Sequence, residues 1–111
     1  MKYKKNWDET KAKFANYWKH QNTGRPLMCV IARKDHYQDY PPELLSKDME
    51  DKYLNADRIV ERFRFYCENR EFLGESFPNL SVDFGPGSMA AYLGSDIVFN
   101  RNTVWFTECL D

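Results

Sequence analysis

One uninterrupted apolar segment constrains the fold of this chain more than any other feature. Residues 27–32 read Leu-Met-Cys-Val-Ile-Ala, and they follow a turn signal formed by Gly24 and Pro26. A short apolar run without alternation, bounded by glycine and proline, is typical of a strand that is covered on both faces, as in a parallel sheet. The sequence therefore predicts a buried strand over 27–32, with other elements packed against it.

Segments with helical or strand periodicity lie on either side of this run. In chain order, the predicted elements are a helix over 7–20, the strand over 27–32, a helix over 56–71, a strand over 80–84, a helix over 88–93 and a hairpin of 97–99 with 104–106. Helices are assigned where apolar residues recur on one face, and the hairpin where two short apolar runs flank a turn. This order predicts a mixed α and β fold in which the strands over 27–32 and 80–84 run parallel.

Composition limits the class of protein. The 111 residues suffice for one domain or part of a larger one, and 16 basic residues nearly balance 17 acidic ones. No apolar run approaches the ~20 residues of a membrane span, and the polar N-terminal segment lacks the apolar core of a signal peptide. The pI near 6.1 argues against nucleic acid as a partner. We therefore expect a cytoplasmic protein without a membrane segment.

Charges and thiols add two further expectations. Residues 1–34 carry nine basic and two acidic residues, a net charge of +7, whereas residues 35–111 have a net charge of −8. A basic segment indicates either an anionic partner or packing against an acidic neighbour, and the second is favoured here. Cys29, Cys67 and Cys109 are widely spaced, so free thiols are expected. The cysteines and the two histidines lack the spacing of metal ligands, so no metal site is expected within these residues.

Arg33 is the first candidate for a functional residue. It follows the predicted strand over 27–32, at the end where α/β folds face their ligands. Its guanidinium would suit a carboxylate or a phosphate, and the alternative is an ordinary ion pair with Asp35 or Asp39. His36 and Tyr37 follow closely and would line the same site, although a lone histidine in a polar loop is more often solvated.

Asp83 is the second candidate. It lies inside the otherwise apolar strand predicted over 80–84, just before a Gly-Pro-Gly turn, where a carboxylate is hard to leave unpaired. It would accept a hydrogen bond from a substrate N–H or take part in proton transfer. The alternative is that Asp83 caps the following helix or faces solvent.

Several short motifs resemble one known family. They are the helix start Asn6-Trp7, Gly24-Arg25-Pro26 before the apolar strand, Asp83-Phe84-Gly85-Pro86-Gly87 and Tyr92-Leu93-Gly94. Together they resemble the N-terminal part of the uroporphyrinogen decarboxylase superfamily, in particular its divergent bacterial members. That family folds as a (β/α)8 barrel of ~250 residues or more. The resemblance implies that residues 1–111 are a single partial domain, the leading helix and first β/α units of such a barrel, without turnover on its own.

The resemblance also implies roles for the candidate residues. In the decarboxylases the first strand ends in Arg-x-x-x-Arg-Tyr, which binds substrate carboxylates. Here Arg33 lies near the first arginine and Tyr37 on the tyrosine, while His36 replaces the second arginine, which weakens the case for a substrate with several carboxylates. Asp83 matches a carboxylate that binds pyrrole N–H groups, and it is the catalytic candidate. The implied activity is that of a decarboxylase acting on a tetrapyrrole or another carboxylated substrate.

Two other functions remain open. A methyltransferase branch of the same superfamily works with a corrinoid partner and a zinc site late in the chain, whereas the decarboxylases need no cofactor. Alternatively, the chain is a non-catalytic α+β binding or interaction module. A truncated barrel would expose apolar strand edges, so self-association as a homodimer is also expected.

Overall fold

The computed structural model describes residues 1–85 and 87–109. Its elements are α1 (Trp7–Trp18), β1 (Cys29–Arg33), a 3₁₀ turn (Pro42–Leu44), α2 (Met49–Leu54), α3 (Ala56–Glu68), β2 (Arg70–Gly74), α4 (Ser88–Tyr92), β3 (Ile97–Phe99) and β4 (Val104–Phe106). The chain divides into two compact units. The first unit comprises Met1–Asp39 and Arg64–Asn79, and the second comprises Tyr40–Phe63 and the chain from Leu80 onward.

The prediction of a parallel sheet is wrong. The described part of the chain forms two antiparallel sheets of two strands each, β1 with β2 and β3 with β4, so the strands are not those of a barrel portion. The partner of β1 is β2, whose first two residues, Arg70 and Glu71, lie within the helix predicted over 56–71. Residues 80–84 form no strand. The physical reason is that α3 ends at Glu68 and the chain reverses at Asn69, which sends β2 back along β1.

The prediction that strand 27–32 is covered on both faces is also wrong. Val30 and Ile31 are 43% and 46% exposed, and Leu73, directly opposite Val30, is 46% exposed. The buried apolar core of the described residues consists of Cys67 from α3 and Phe72 from β2. The described residues place no second layer over the face that carries Val30 and Leu73, whereas helices cover both faces of a parallel sheet.

The leading helix of the first unit is confirmed. α1 packs through Trp7 and Phe14, whose rings lie 5.2 and 5.8 Å from the ring of Phe77. The side chain of Asn6 does not cap the helix; its amide donates instead to the Glu9 carboxylate at 3.3 Å. The C-terminal end of α1 faces solvent, since the side chain of Trp18 is 75% exposed.

The second unit contains the predicted hairpin and short helix. The β3–β4 hairpin has the predicted bounds, with Val98 opposite Trp105. α4 ends before Gly94, whose φ of +105° favours glycine at a helix terminus. α2 begins after Asp48, whose carboxylate accepts a hydrogen bond from the Asp51 N–H at 2.8 Å. Among the described residues, no helix has the length and apolar character required to traverse a membrane.

Candidate anion-binding site

Two arginines lie side by side at the end of the β1–β2 ladder. Arg33 and Arg70 are direct partners in the antiparallel register. The guanidinium carbon of Arg33 lies 4.3 Å from the centre of the Tyr37 ring, and that of Arg70 lies 4.6 Å from the same centre. Like charges opposite each other in a sheet are destabilising, whereas the face of an aromatic ring attracts cations. The Tyr37 ring therefore offsets part of the repulsion between the two guanidiniums.

A tight turn brings the Tyr37 ring back to Arg33. The Tyr37 N–H donates to the Lys34 carbonyl at 2.9 Å, with Asp35 and His36 at the central positions. This hydrogen bond closes a four-residue turn directly after β1. The predicted association of Arg33 with Tyr37 is therefore present, and it depends on the turn as well as on the strand end.

The corner between α3 and β2 holds this turn in place. Asn69 is 7% exposed, and its side-chain oxygen accepts from the Gln38 N–H at 3.0 Å. Its amide nitrogen donates to the Phe65 carbonyl at 3.0 Å. The Lys34 ammonium donates to the Glu68 carbonyl at 2.7 Å. Two residues at the end of α3 thus fix the segment that carries Tyr37.

Neither guanidinium has a carboxylate partner in the part of the chain that the structure describes. The alternative pairing of Arg33 with Asp35 or Asp39 is not among the ion pairs formed there. The Nη1 atom of Arg70 is buried and has no hydrogen-bond partner within residues 1–85 and 87–109. The Arg70 guanidinium also lies against a second aromatic ring, with its carbon 5.2 Å from the centre of the Tyr66 ring. The site can accept a carboxylate or a phosphate, the groups that guanidinium forks match.

The other two predicted site residues, His36 and Asp83, lie in different parts of the fold, and both are exposed. His36 is exposed at the tip of the turn that carries Tyr37. Asp83 is exposed in a loop of the second unit, where its carboxylate accepts from the Ser81 hydroxyl and from the Gly85 N–H. The Ser81 hydrogen bond, followed by that from Gly85, lowers the pKa of Asp83. Asp83 is therefore an ionised hydrogen-bond acceptor at neutral pH.

Sequence reasoning missed Arg70 and Asn69. Both lie in the segment that was assigned to the helix over 56–71, so neither was expected beside Arg33. A signal was available in residues 70–74, which read Arg-Glu-Phe-Leu-Gly and end in a glycine. A short segment bounded by a glycine is compatible with a strand that ends in a turn.

A second charged cluster, centred on Glu75, was also missed. The Glu75 carboxylate is 1% exposed and accepts two hydrogen bonds from Arg25, at 2.7 and 2.8 Å. It also accepts from Lys13 at 3.1 Å and from the Met28 N–H at 2.8 Å. These hydrogen bonds, that from Arg25 above all, lower the pKa of Glu75 to about 2. Two residues of the basic N-terminal segment thus pack on an acidic neighbour, and the cluster ties α1 to both strands.

The described residues offer no evident metal centre. Within residues 1–85 and 87–109, no three side chains of His, Cys, Asp or Glu are grouped as metal ligands would be. All three cysteines are free, with Cys67 buried and the other two exposed.

Comparison with known proteins adds no relative. No protein-family model matches the chain, and neither a curated protein nor a solved structure has significant similarity to it.

Proposed function

We propose that Arg33 and Arg70 together bind the carboxylate of a small anionic substrate. The observation that carries this proposal is the pairing of two guanidiniums on one aromatic ring without an acidic partner among the described residues. The ladder fixes the two arginines relative to each other, and Tyr37 limits the directions that their side chains can take. Such preorganisation reduces the entropy lost when a ligand is bound.

We further propose that this site serves an enzyme of the kind that the resemblance implies, a uroporphyrinogen-decarboxylase-like enzyme acting on a tetrapyrrole or another carboxylated substrate. The role of the arginine pair would be to bind and orient the substrate. Asp83 belongs to the second unit, and its proposed catalytic role is carried by the resemblance alone. Arg70 compensates for the arginine that His36 replaces, since it supplies a second guanidinium beside Arg33. A substrate with more than one carboxylate thereby becomes chemically reasonable again.

In the methyltransferase alternative, Arg33 would bind a small substrate or a phosphate, and the arginine pair would suit such a phosphate. Guanidinium groups form paired hydrogen bonds with carboxylates and phosphates alike. Any zinc or corrinoid of that branch would be held by residues other than these. A preference for phosphate would favour this alternative, and a non-catalytic binding module would bind an anion without turnover.

The three free cysteines support a cytoplasmic location, which we propose as well. Thiols stay reduced in that compartment, whereas exposed cysteines of exported proteins are usually paired. Mass spectrometry of cells opened directly into denaturant and alkylating reagent tests this proposal: all three cysteines, including buried Cys67, should be alkylated, and a disulfide between any of them would contradict it.

Isothermal titration calorimetry tests the anion site. The probes are propane-1,2,3-tricarboxylate and inorganic phosphate, applied to the wild type and to Arg33→Gln, Arg70→Gln and Arg64→Gln. Arg64 is exposed on α3 and gives a control with the same change of charge. Hydrogen bonds to charged groups contribute about 1.5–3 kcal/mol, so each site variant should bind at least about tenfold more weakly. Equal losses in all three variants, or no binding by the wild type, would contradict the proposal.

A further inference from the structure

The β1–β2 ladder leaves one edge of β1 without a partner. At the ends of the ladder, the Glu75 N–H donates to the Met28 carbonyl at 2.7 Å and the Lys34 N–H donates to the Asn69 carbonyl at 3.2 Å. Because hydrogen-bonded pairs alternate along an antiparallel ladder, every second residue of β1 directs its backbone groups away from β2. These outward residues are Cys29, Ile31 and Arg33.

The opposite edge of the sheet is closed by a side chain. The Lys4 ammonium donates to the outward carbonyls of Phe72 and Gly74, at 3.0 and 2.6 Å. Lys4 is only 3% exposed, so it occupies the place where another strand would pair with β2. A lysine at an edge is a common means of preventing further strand addition. Within the described residues of the first unit, β1 has no equivalent cap.

We propose that β1 of a second copy of this chain pairs with that open edge, antiparallel and about a two-fold axis at Ile31. Ile31 then lies opposite Ile31 of the second copy, and Cys29 lies opposite Arg33. Each of the three residue pairs exchanges two backbone hydrogen bonds. The result is a four-stranded sheet in the order β2, β1, β1, β2.

Charge selects this register over its neighbours. A parallel pairing in register, or an antiparallel pairing centred on Arg33, would place the two Arg33 side chains opposite each other, which is unfavourable. An antiparallel pairing centred on Cys29 would leave Arg33 outside the ladder. Only the arrangement centred on Ile31 uses all three outward residues and separates the two arginines.

The same arrangement explains why apolar residues of β1 are exposed in the single chain. It also limits the assembly to two copies. Val30 and Ile31, both more than 40% exposed, would gain apolar neighbours from the second copy. Residues 29–32 carry no charge, proline or glycine that would discourage pairing. In the dimer both outer edges belong to β2, and each is closed by Lys4. The association is therefore isologous and does not extend into fibres.

Site-directed disulfide cross-linking tests the register. Arg33→Cys, made in a Cys109→Ser background to remove the other exposed thiol, places a new thiol opposite Cys29 of the second copy. Paired residues of this kind have Cα atoms about 5.5 Å apart, which is within disulfide range. Mild oxidation should convert most of the protein to a covalent dimer, with peptide mass spectrometry linking positions 29 and 33.

Two control variants accompany this test. Ala32→Cys in the same background lies opposite Val30 of the second copy, so it should not cross-link to Cys29. Adding Cys29→Ser to the Arg33→Cys variant should abolish the covalent dimer. A disulfide joining Cys29 to Cys29, or equal cross-linking of the Ala32 variant, would overturn the proposed register.

Sedimentation velocity tests the association itself. Ile31→Lys places two ammonium groups opposite each other at the two-fold axis, whereas Leu73→Lys makes the same change on β2. The two parent residues are both 46% exposed, which makes the control a matched one. The wild type and Leu73→Lys should dimerise equally, and Ile31→Lys at least tenfold more weakly. A monomeric wild type at millimolar concentration, or equal behaviour of the two variants, would overturn the proposal.

The dimer and the anion site are tested independently. The proposed dimer depends on the backbone edge of β1, while the anion site depends on guanidinium groups. Arg33→Gln should therefore weaken binding of tricarboxylate and leave the sedimentation coefficient unchanged, so that failure of one proposal does not imply failure of the other.

Discussion

Arg33 and Arg70 face each other across the β1–β2 ladder, and their guanidiniums share the ring of Tyr37 at 4.3 and 4.6 Å. Each arginine belongs to a different strand, and the two are 37 positions apart in the chain. Their proximity is a consequence of the fold, because the chain reverses at Asn69 and returns along β1. The arrangement concentrates positive charge, and neither guanidinium is among the ion pairs formed by the described residues.

Removing the Tyr37 ring should expose the repulsion between these arginines. Each cation–π contact contributes about 0.5–1 kcal/mol at an exposed site, so Tyr37→Leu should lower the free energy of unfolding by about 1 kcal/mol. Added salt should recover part of the loss by screening the two guanidiniums. Urea unfolding at low and high ionic strength measures both effects. Tyr37→Phe keeps the ring and should behave as the wild type, and an equal loss in that variant would contradict the argument.

The Glu75 cluster should govern stability in acid. Its hydrogen bonds from Arg25 and its neighbours hold the pKa near 2 in the folded state, against an ordinary value of 4.5. Because the folded pKa is depressed, the stabilisation is fully present above pH 4.5 and is lost as the pH falls towards 2. Thermal unfolding between pH 7 and pH 2 should therefore show a falling melting temperature below about pH 5.

Two variants identify the source of that acid sensitivity. Glu75→Gln should unfold at a lower temperature at pH 7 and should lose much of the dependence on pH below 5. Glu71→Gln removes a carboxylate from an exposed position of β2 and should keep the wild-type profile. If Glu75→Gln kept the full pH dependence, other carboxylates would be responsible.

Gly74 should not tolerate a side chain. Its φ is +58°, and a Cβ there would lie 2.2 Å from the Met28 carbonyl oxygen. A non-glycine residue at such an angle costs about 1–2 kcal/mol, and the clash adds to it, so Gly74→Ala should destabilise by more than about 3 kcal/mol. Gly24→Ala is the control, because its φ is +85° but nothing lies within 4 Å. Chemical denaturation should show the larger loss at Gly74, and equal losses would contradict the predicted clash.

Gly87 should likewise be required in the second unit. A Cβ at this position would lie 2.0 Å from the ring of Phe106 on β4. Gly87→Ala should therefore displace the aromatic ring and lower the melting temperature, and Phe106→Ala in the same chain should suppress most of the additional effect. A double-mutant cycle measures this coupling. Additive effects of the two substitutions would mean that the ring does not pack against Gly87.

Local structure was largely predictable from the sequence, and pairing between distant segments was not. The hairpin of Ile97–Phe99 with Val104–Phe106 has the bounds that its turn and apolar runs predict, and α1 and α4 begin at the predicted residues. These elements are determined by neighbouring residues. The partner of β1 is determined instead by the chain reversal at Asn69. The helical pattern of 56–71 did not predict this reversal, because it extended the helix past Asn69. The predicted apolar stripe ended at Cys67, and Phe72 contacts α3 from β2, with its ring centre 6.3 Å from that of Tyr66.

The residues of the candidate site were likewise predictable where they are close in the chain, and not where strand pairing brings them together. Arg33 and Tyr37 were predicted together because they are only four positions apart in the chain and the family resemblance implied their roles. Arg70 was not predicted, because its place beside Arg33 depends on the antiparallel register. Asp83 was predicted in a strand, yet its carboxylate accepts from Ser81 and Gly85 in a loop. Short polar side chains that bind their own backbone often compete with strand formation in this manner.

The most direct test of the anion site observes its two guanidiniums individually. In protein labelled with nitrogen-15, the side-chain Nε–H resonances of Arg33, Arg70 and Arg64 are followed by NMR during titration with propane-1,2,3-tricarboxylate. If Arg33 and Arg70 bind the carboxylate, their signals should shift together along one saturable curve, while that of Arg64 stays in place. Uniform small shifts of all three signals without saturation would show a general ionic-strength effect and would contradict the site.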